Sequence, residues 1–227
     1  QSNLGSDGSC FEILKSAGYE ITPIRPSLCP LKSLDVSKSL AGVRHKGLIK
    51  LLDGEKTIYE EKGEILFKSD GLSGIAIMNC SSFDCLRPVA EIDLFPDLSE
   101  EELGFQIEGA YRSNPNEFLL AILEKPLTEY MRKRTQILNK NVLNSNDFLS
   151  ISHLLKALRF EISGRYGFDA SQVTRGGVSL NDVDSNLRSR LEENVAFVGE
   201  CLDIDGRCGG FNLGWALLSS LAVVDSI

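Results

Sequence analysis

The sequence has few of the residues that build a metal or acid–base centre. Its two histidines, His45 and His153, are far apart in the chain and fall in different predicted subdomains. A catalytic or metal-binding histidine pair is therefore not expected. The cysteine spacings, four and six intervening residues in the two nearest pairs, match no zinc signature. The six cysteines are Cys10, Cys29, Cys80, Cys85, Cys201 and Cys208. We interpret them as reduced thiols of a cytoplasmic protein, with a redox pair of Cys201 and Cys208 as the alternative.

Long apolar runs and an excess of basic charge are also absent. No run approaches the roughly 20 apolar residues that cross a bilayer, and no signal peptide is recognisable. Acidic residues outnumber basic ones by 32 to 24, so the net charge is −8. We therefore expect neither a nucleic acid nor a membrane as a partner, and we interpret the basic run 132–134 as a solvated helix face. Ser73 lacks the Gly-x-Ser-x-Gly spacing of a hydrolase nucleophile.

What remains predicts an α+β chain. A helix is expected over 7–17, and three prolines between 21 and 31 mark an extended connector. Residues 41–68 are the clearest β region, with a hairpin turn at Asp53-Gly54. A short helix is expected over 72–78, and the period-two alternation of 89–95 predicts a strand.

Four short helices are predicted next, which together form a small helical subdomain. The first begins at a capping box, Ser99-x-x-Glu102, and the second at Asn114-Pro115. The third and fourth are expected over 127–138 and 147–158. Strand character returns at 160–163.

The most informative stretch lies near the end of the chain. Val195–Val198 predicts a short buried strand, a turn rich in acids and glycines follows, and 213–222 predicts a buried helix. Gly209 and Gly210 allow a ligand to approach the backbone, and the start of the helix favours negative charge. The nearby acids Glu200, Asp203 and Asp205 would repel a bare phosphate but can accept hydrogen bonds from ribityl or ribose hydroxyls.

Four motifs carry a family resemblance. They are Asn3-Leu4-Gly5-Ser6-Asp7-Gly8-Ser9, the stretch 63–74 with Gly63-Glu64-Ile65-Leu66-Phe67, then Gln172-Val173-Thr174-Arg175-Gly176-Gly177-Val178, and the stretch 197–216. Together they resemble the HI0933-like (BaiN-like) NAD(P)/FAD-dependent oxidoreductases.

The resemblance implies a flavin domain of the two-dinucleotide-binding type that is interrupted by an insert domain. Residues 1–20 and 164–227 would belong to the flavin domain. The insert would cover 21–163, with an antiparallel or mixed β-barrel-like part at about 21–96 and a helical subdomain at about 97–158.

The function that the resemblance implies is that of an FAD-dependent oxidoreductase acting on a small-molecule substrate, with NAD(P)H as a candidate electron donor. Thr174, Gly176 and Gly177 would form a turn beside the flavin ring, and Arg175 is a candidate contact for an anionic substrate. No catalytic residue and no metal ligand is assigned. The predicted cofactor-binding residues are Gly199, Glu200, Asp203, Gly209, Gly210, Phe211, Asn212 and Leu213. Glu200 ranks first for the ribityl chain and Asp203 second.

One family element is missing. The family opens with a Gly-x-Gly-x-x-Gly turn for the FAD pyrophosphate, which this sequence lacks, and the sequence begins with Gln1. We therefore expect a fragment that holds half of the flavin site, is inactive alone and exposes a sheet edge open to homodimerisation. The alternative is a non-catalytic folded module, or interaction domain, without a bound cofactor.

Overall fold

A computed structural model describes residues 5–140 and 142–225, and the chain divides into two compact units. We call them unit 1 (residues 1–30 and 165–227) and unit 2 (residues 31–164). The helices are α1 (Ser9–Ser16), α2 (Ile75–Cys80), α3 (Glu100–Ser113), α4 (Lys125–Arg134), α5 (Ser145–Lys156) and α6 (Phe211–Asp225). The strands are β1 (Arg25–Ser27), β2 (Leu31–Lys32), β3 (Arg44–Asp53), β4 (Lys56–Phe67), β5 (Gly71–Ser73), β6 (Pro88–Asp93), β7 (Leu158–Glu161), β8 (Gly164–Arg165) and β9 (Val173–Arg175).

The α+β class is confirmed by these elements. Of the first family motif, Asn3 and Leu4 lie outside the described residues. Residues 21–30 lie in unit 1, where β1 pairs with β9 in antiparallel register, and the predicted boundary of the insert at residue 21 stays a prediction. None of the described helices is long and apolar enough to span a membrane.

Unit 2 is built on an antiparallel sheet whose strands run in the order β7-β6-β3-β4-β5-β2. The predicted hairpin is confirmed: β3 and β4 pair along their length, and Asp53 faces Lys56 across a two-residue loop. That loop begins at Gly54, whose φ of 62° suits a residue without a Cβ.

The helices of unit 2 pack with the sheet around one continuous apolar core. The predicted capping box of Ser99 with Glu102 opens α3, and a second capping box, of Asn144 with Asp147, opens α5. Phe160 on β7 is fully buried between Phe67 and Tyr130, with ring centroids 5.9 and 6.1 Å away. The core therefore joins the sheet to the helical subdomain.

Two predicted helices of unit 2 are wrong in extent. The helix expected from Asn114 is only a 3-10 turn over Phe118–Ala121, because Phe118 and Leu119 are both drawn into the core within that single turn. The stretch 72–78 begins as β5, which pairs with both β2 and β4, and the helix starts only at Ile75.

Unit 1 is mostly loops around a small core. The buried apolar cluster of its described residues consists of Tyr19, Val178, Val183, Phe197 and Leu202. The strand predicted at Val195–Val198 is wrong: only Ala196 forms a bridge, with Arg188, while Phe197 is buried and Val198 is exposed. An apolar run supplies buried side chains here without a neighbouring strand to pair with.

The last helix is present but is not buried as predicted. Among its described residues only Ser219 is buried. More than half of the surface of six apolar side chains is exposed, namely those of Phe211, Leu213, Leu217, Leu218, Leu221 and Val224. The sequence shows that the helix is apolar all round. In the described part of unit 1, only the face of the helix that contacts the Gly199–Cys201 turn is covered.

Candidate cofactor site

Two of the family motifs lie side by side in unit 1. Val178 forms an antiparallel bridge with Ile21 and a parallel bridge with Leu202. Its N–H donates to the carbonyl of Cys201 at 2.8 Å, and its carbonyl accepts from Asp203 N at 3.0 Å. The stretch 172–178 is thereby joined to the acid-rich stretch 199–205.

Close contacts with neighbouring backbone leave no space for a side chain at positions 176 and 177, so both must be glycine. Gly176 has a φ of 89°, and a methyl group there would lie 2.3 Å from the carbonyl oxygen of Pro23. A methyl group at Gly177 would lie 2.5 Å from the carbonyl oxygen of Cys201. The glycine pair thus lets two backbone segments approach the turn, whatever else contacts it.

The three acids of the site have different surroundings. Glu200 accepts a hydrogen bond from Thr174 N at 2.7 Å, and Asp205 accepts one from the buried Ser27 hydroxyl at 3.0 Å. Asp205 also lies 4.0 Å from Arg175 Nε. The half-buried Asp203 carboxylate makes no hydrogen bond to any side chain or backbone group in residues 5–140 and 142–225. Asp203, which ranks second in the sequence analysis, is therefore the acid of the three whose two carboxylate oxygens are both without a hydrogen bond within the described residues.

The glycine-rich turn ends at the first residue of α6. Gly209 and Gly210 have φ values of 126° and 87°, and the carbonyl of Gly210 accepts the first helical bond from Gly214 N at 2.9 Å. Space is open beyond Gly210, and the side chains of Phe211 and Leu213 are exposed. A ligand can therefore reach the start of the helix, where the first N–H groups lack intrahelical acceptors.

Asn212 and Gly199 serve the fold of this region. The Asn212 amide accepts from Gly206 N at 2.8 Å and donates to the Gly206 carbonyl at 2.9 Å, which closes the turn. The buried Gly199 donates to Ser219 Oγ at 2.9 Å and accepts from Trp215 Nε1 at 3.1 Å. Sequence reasoning missed Ser27 and Ser219, because an isolated serine gives no pattern.

The two cysteines near the site, Cys201 and Cys208, have different surroundings. Burial raises the pKa of the Cys201 thiol, which also donates to the Val198 carbonyl. The Cys208 thiol lies 3.1 Å from Gln172 Oε1. A raised pKa lowers the thiolate fraction, so the alternative of a redox pair gains no support. In the described part of the chain no group of three potential metal-ligating side chains occurs.

Unit 2 has a cleft of its own, of about 520 Å³, between the β3–β4 hairpin and the segment 94–98. Leu94, Phe95 and Pro96 give it an apolar wall, and Lys62 pairs with Asp97 at its rim. His45 lies behind this wall, with Nε2 2.8 Å from the carbonyl of Leu94. His153, on α5, has its Nδ1 2.9 Å from Glu100 Oε1 on α3, so the two histidines make separate contacts.

Unit 2, which consists of a sheet and helices, interrupts the sequence of the loop-rich unit 1, which carries the glycine-lined start of α6. The chain therefore belongs to the class of proteins in which one domain is interrupted by an inserted domain. The family model described as the HI0933-like protein barrel and H2TH domain matches residues 25–173, more than half of the chain. The chain belongs to the HI0933-like family.

Curated relatives agree with this membership at low identity. A 3-dehydro-bile acid delta(4,6)-reductase of Clostridium scindens is 28% identical over 94% of this chain and 56% of its own length. Ribosomal RNA dihydrouridine synthases of Escherichia coli and Haemophilus influenzae are each 29% identical over 99% of this chain and 57% of their own length. The chain thus spans little more than half the length of these relatives.

Proposed function

We propose that this chain is part of an FAD-dependent oxidoreductase that saturates a carbon–carbon double bond conjugated to a carbonyl. The names of the relatives support the reaction class, because a 3-oxo steroid diene and the uracil ring both contain such a bond. The observation that carries the proposal is the open, glycine-lined start of α6 at Gly210, which the Asn212–Gly206 hydrogen bonds tie to the acid-rich turn that contains Asp203.

Each residue of this site has a role that its chemistry suits. Asp203 would accept a hydrogen bond from a ribityl hydroxyl. The glycine turn at Gly209 and Gly210 would admit the flavin ring edge, and the α6 dipole would favour negative charge there, by about 0.3–1 kcal/mol when exposed and up to about 2 when partly buried. FAD, when bound, supplies the hydride chemistry, with NAD(P)H as the proposed electron source.

Glu200, Asn212 and Gly199 are proposed to hold this site in shape. Glu200 ties the Thr174 backbone to the acid-rich turn, Asn212 closes the turn at Gly206, and Gly199 supports α6. We propose a cytoplasmic location, which is supported by the six free cysteines of the described chain.

The second candidate function is a folded module without a cofactor. Unit 2 favours it, because its sheet and helices close over a single large core. Under this alternative the unit would act as an interaction domain.

A visible absorbance scan tests the proposal. The purified chain and a longer protein that extends it upstream are each scanned with and without added FAD. We expect flavin bands to stay with the longer protein through gel filtration, and NAD(P)H to bleach them. If the longer protein retains no flavin, the proposal fails and the module reading replaces it.

A further inference from the structure

One arginine of unit 1 has hydrogen-bond donors that the fold does not use. Arg175 lies on β9, and 42% of its side-chain surface is exposed. Its Nε lies 4.0 Å from Asp205 Oδ1, beyond hydrogen-bond distance, and its guanidinium donates to no residue that the structure describes. A guanidinium carries five N–H donors and is always charged in proteins. The donors of Arg175 are therefore available to a ligand.

The carboxylate nearest to this guanidinium is itself held in place. The side chain of Asp205 is mostly buried, and its Oδ2 accepts a hydrogen bond from the Ser27 hydroxyl at 3.0 Å. Ser27 is fully buried on β1, the strand that pairs with β9. A charged group that is supported in this way by a buried partner keeps one position. The Ser27–Asp205 pair thus fixes the negative charge that attracts the Arg175 guanidinium.

A second cation faces Arg175 across the strand pair. Arg25 on β1 is the residue directly opposite Arg175 in the antiparallel register. Side chains of directly opposite residues lie on the same face, with Cβ atoms about 4.5–5.5 Å apart, and like charges in these positions are destabilising. Local arrangements that cost stability are expected at functional sites. Both arginines contribute positive potential here, which favours an anion.

The strand that carries Arg175 adjoins the candidate cofactor site. Asp205 immediately precedes the turn that the Asn212 side chain closes at the start of α6. Gln172, just before β9, has its Oε1 3.1 Å from the thiol of Cys208 in the glycine-rich turn. Arg175 is thus placed beside the turn that we propose to admit the flavin ring edge.

The proposed reaction class creates an anion at a defined atom of the substrate. Addition of a hydride to the β-carbon of a conjugated carbonyl compound moves the π electrons of the double bond toward the carbonyl, which leaves a negative charge on its oxygen. A proton from water then adds to the α-carbon, and the carbonyl re-forms. NAD(P)H, by way of FAD, is the proposed source of the hydride. A hydrogen-bond donor aimed at that oxygen stabilises the transition state.

We propose that Arg175 is a catalytic residue that donates to the carbonyl oxygen of the substrate as negative charge develops there. This inference rests on the proposed reductase function and adds the group that binds the reacting end of the substrate. It refines the expected contact with an anionic substrate, because the substrate oxygen becomes anionic only during the reaction. Arg25 would add positive potential without contacting the oxygen.

The test is the binding of para-nitrophenolate, a planar oxyanion that resembles an enolate, to the longer protein loaded with FAD. Equilibrium dialysis measures the free phenolate in the protein-free compartment, and the protein compartment shows how much flavin is retained. We expect Arg175→Ala to weaken phenolate binding about tenfold and Arg175→Lys about threefold, because lysine keeps the charge but not the planar fork. Binding of the uncharged para-nitroanisole should change less than about twofold.

The matched control is Lys15→Ala, which removes one exposed positive charge from α1 of unit 1 and should stay within about twofold. Asp205→Asn gives a prediction of opposite sign. It keeps an acceptor for Ser27 but removes the negative charge near the guanidinium, so phenolate binding should tighten about twofold.

Three results would each overturn the proposal: equal losses in Arg175→Ala and the control, equal effects on the phenolate and the anisole, or no phenolate binding by the unmodified protein. Dialysis requires no turnover, so phenolate binding and flavin retention can fail separately. A protein that retains no flavin contradicts the proposed function and still reports on the contact with Arg175.

Discussion

Unit 2 buries thirty described residues in one apolar cluster, whereas the core of unit 1 has five. Long paired strands and capped helices give unit 2 its shape. Unit 1 depends instead on close glycine contacts and side-chain-to-backbone hydrogen bonds. The comparison indicates that hydrophobic burial stabilises the insert, while the candidate cofactor site is a set of loops held by specific polar contacts.

The largest effect should come from the core of unit 2. Phe160→Ala should cost about 3–5 kcal/mol of unfolding free energy, because a fully buried ring leaves a cavity. Urea unfolding followed by circular dichroism measures this loss. Trp215 is the single tryptophan and lies in unit 1, so the unfolding transition followed by its fluorescence emission should shift much less. A loss below about 1 kcal/mol would contradict the single-core account.

The next effect tests the glycine contacts of unit 1. Gly176→Ala should cost about 2–4 kcal/mol of unfolding free energy, because the new methyl group clashes with a backbone carbonyl and the residue must also adopt a left-handed backbone conformation. Gly210→Ala is the matched control: its φ is almost the same, but space is open around it. We expect only the strain of about 1–2 kcal/mol there. If the two variants lose equal unfolding free energy, as measured by Trp215 emission, the contact with Pro23 does not contribute to stability.

A smaller effect is expected at the turn before α6. Asn212→Ala removes both hydrogen bonds to Gly206 and should cost about 1–3 kcal/mol. Asn212→Asp keeps the acceptor and loses the donor, so it should retain part of the stability. Trp215 emission during urea unfolding gives both values, and an Ala variant as stable as the parent would remove Asn212 from the account.

The smallest effect is a pH dependence in unit 2. The hydrogen bond from Lys140, followed by that from the Asn144 backbone, holds the pKa of Asp147 below its usual range. Its stabilising contribution is complete above the unfolded pKa, near 3.9, and is lost as the pH falls through the lower folded pKa. Asp147→Asn should therefore flatten the decline of unfolding free energy below about pH 4. An unchanged acid profile would count against this pairing.

The sequence predicts those structural features that are determined by residues close together in the chain. The Gly54 turn and the Ser99–Glu102 box are short-range signals, and both are confirmed. The strand at 195–198 and the burial of the last helix are wrong because pairing and cover depend on distant segments.

At the candidate site, the residue types indicated a turn and ranked Glu200 above Asp203 for the ribityl chain, but they gave no information on which carboxylate is already hydrogen-bonded within the fold. The hydrogen bond from Thr174 N to Glu200 links positions 26 residues apart, and only the fold reveals it. Whether these residues bind flavin stays a prediction.

Hydrogen–deuterium exchange of the longer protein with and without FAD tests the central claim, that the cofactor site belongs to unit 1. We predict added protection in residues 172–178 and 199–213, reduced by Asp203→Ala, and no change across residues 31–164. Protection confined to residues 31–164, or no protection on adding FAD, would contradict the account.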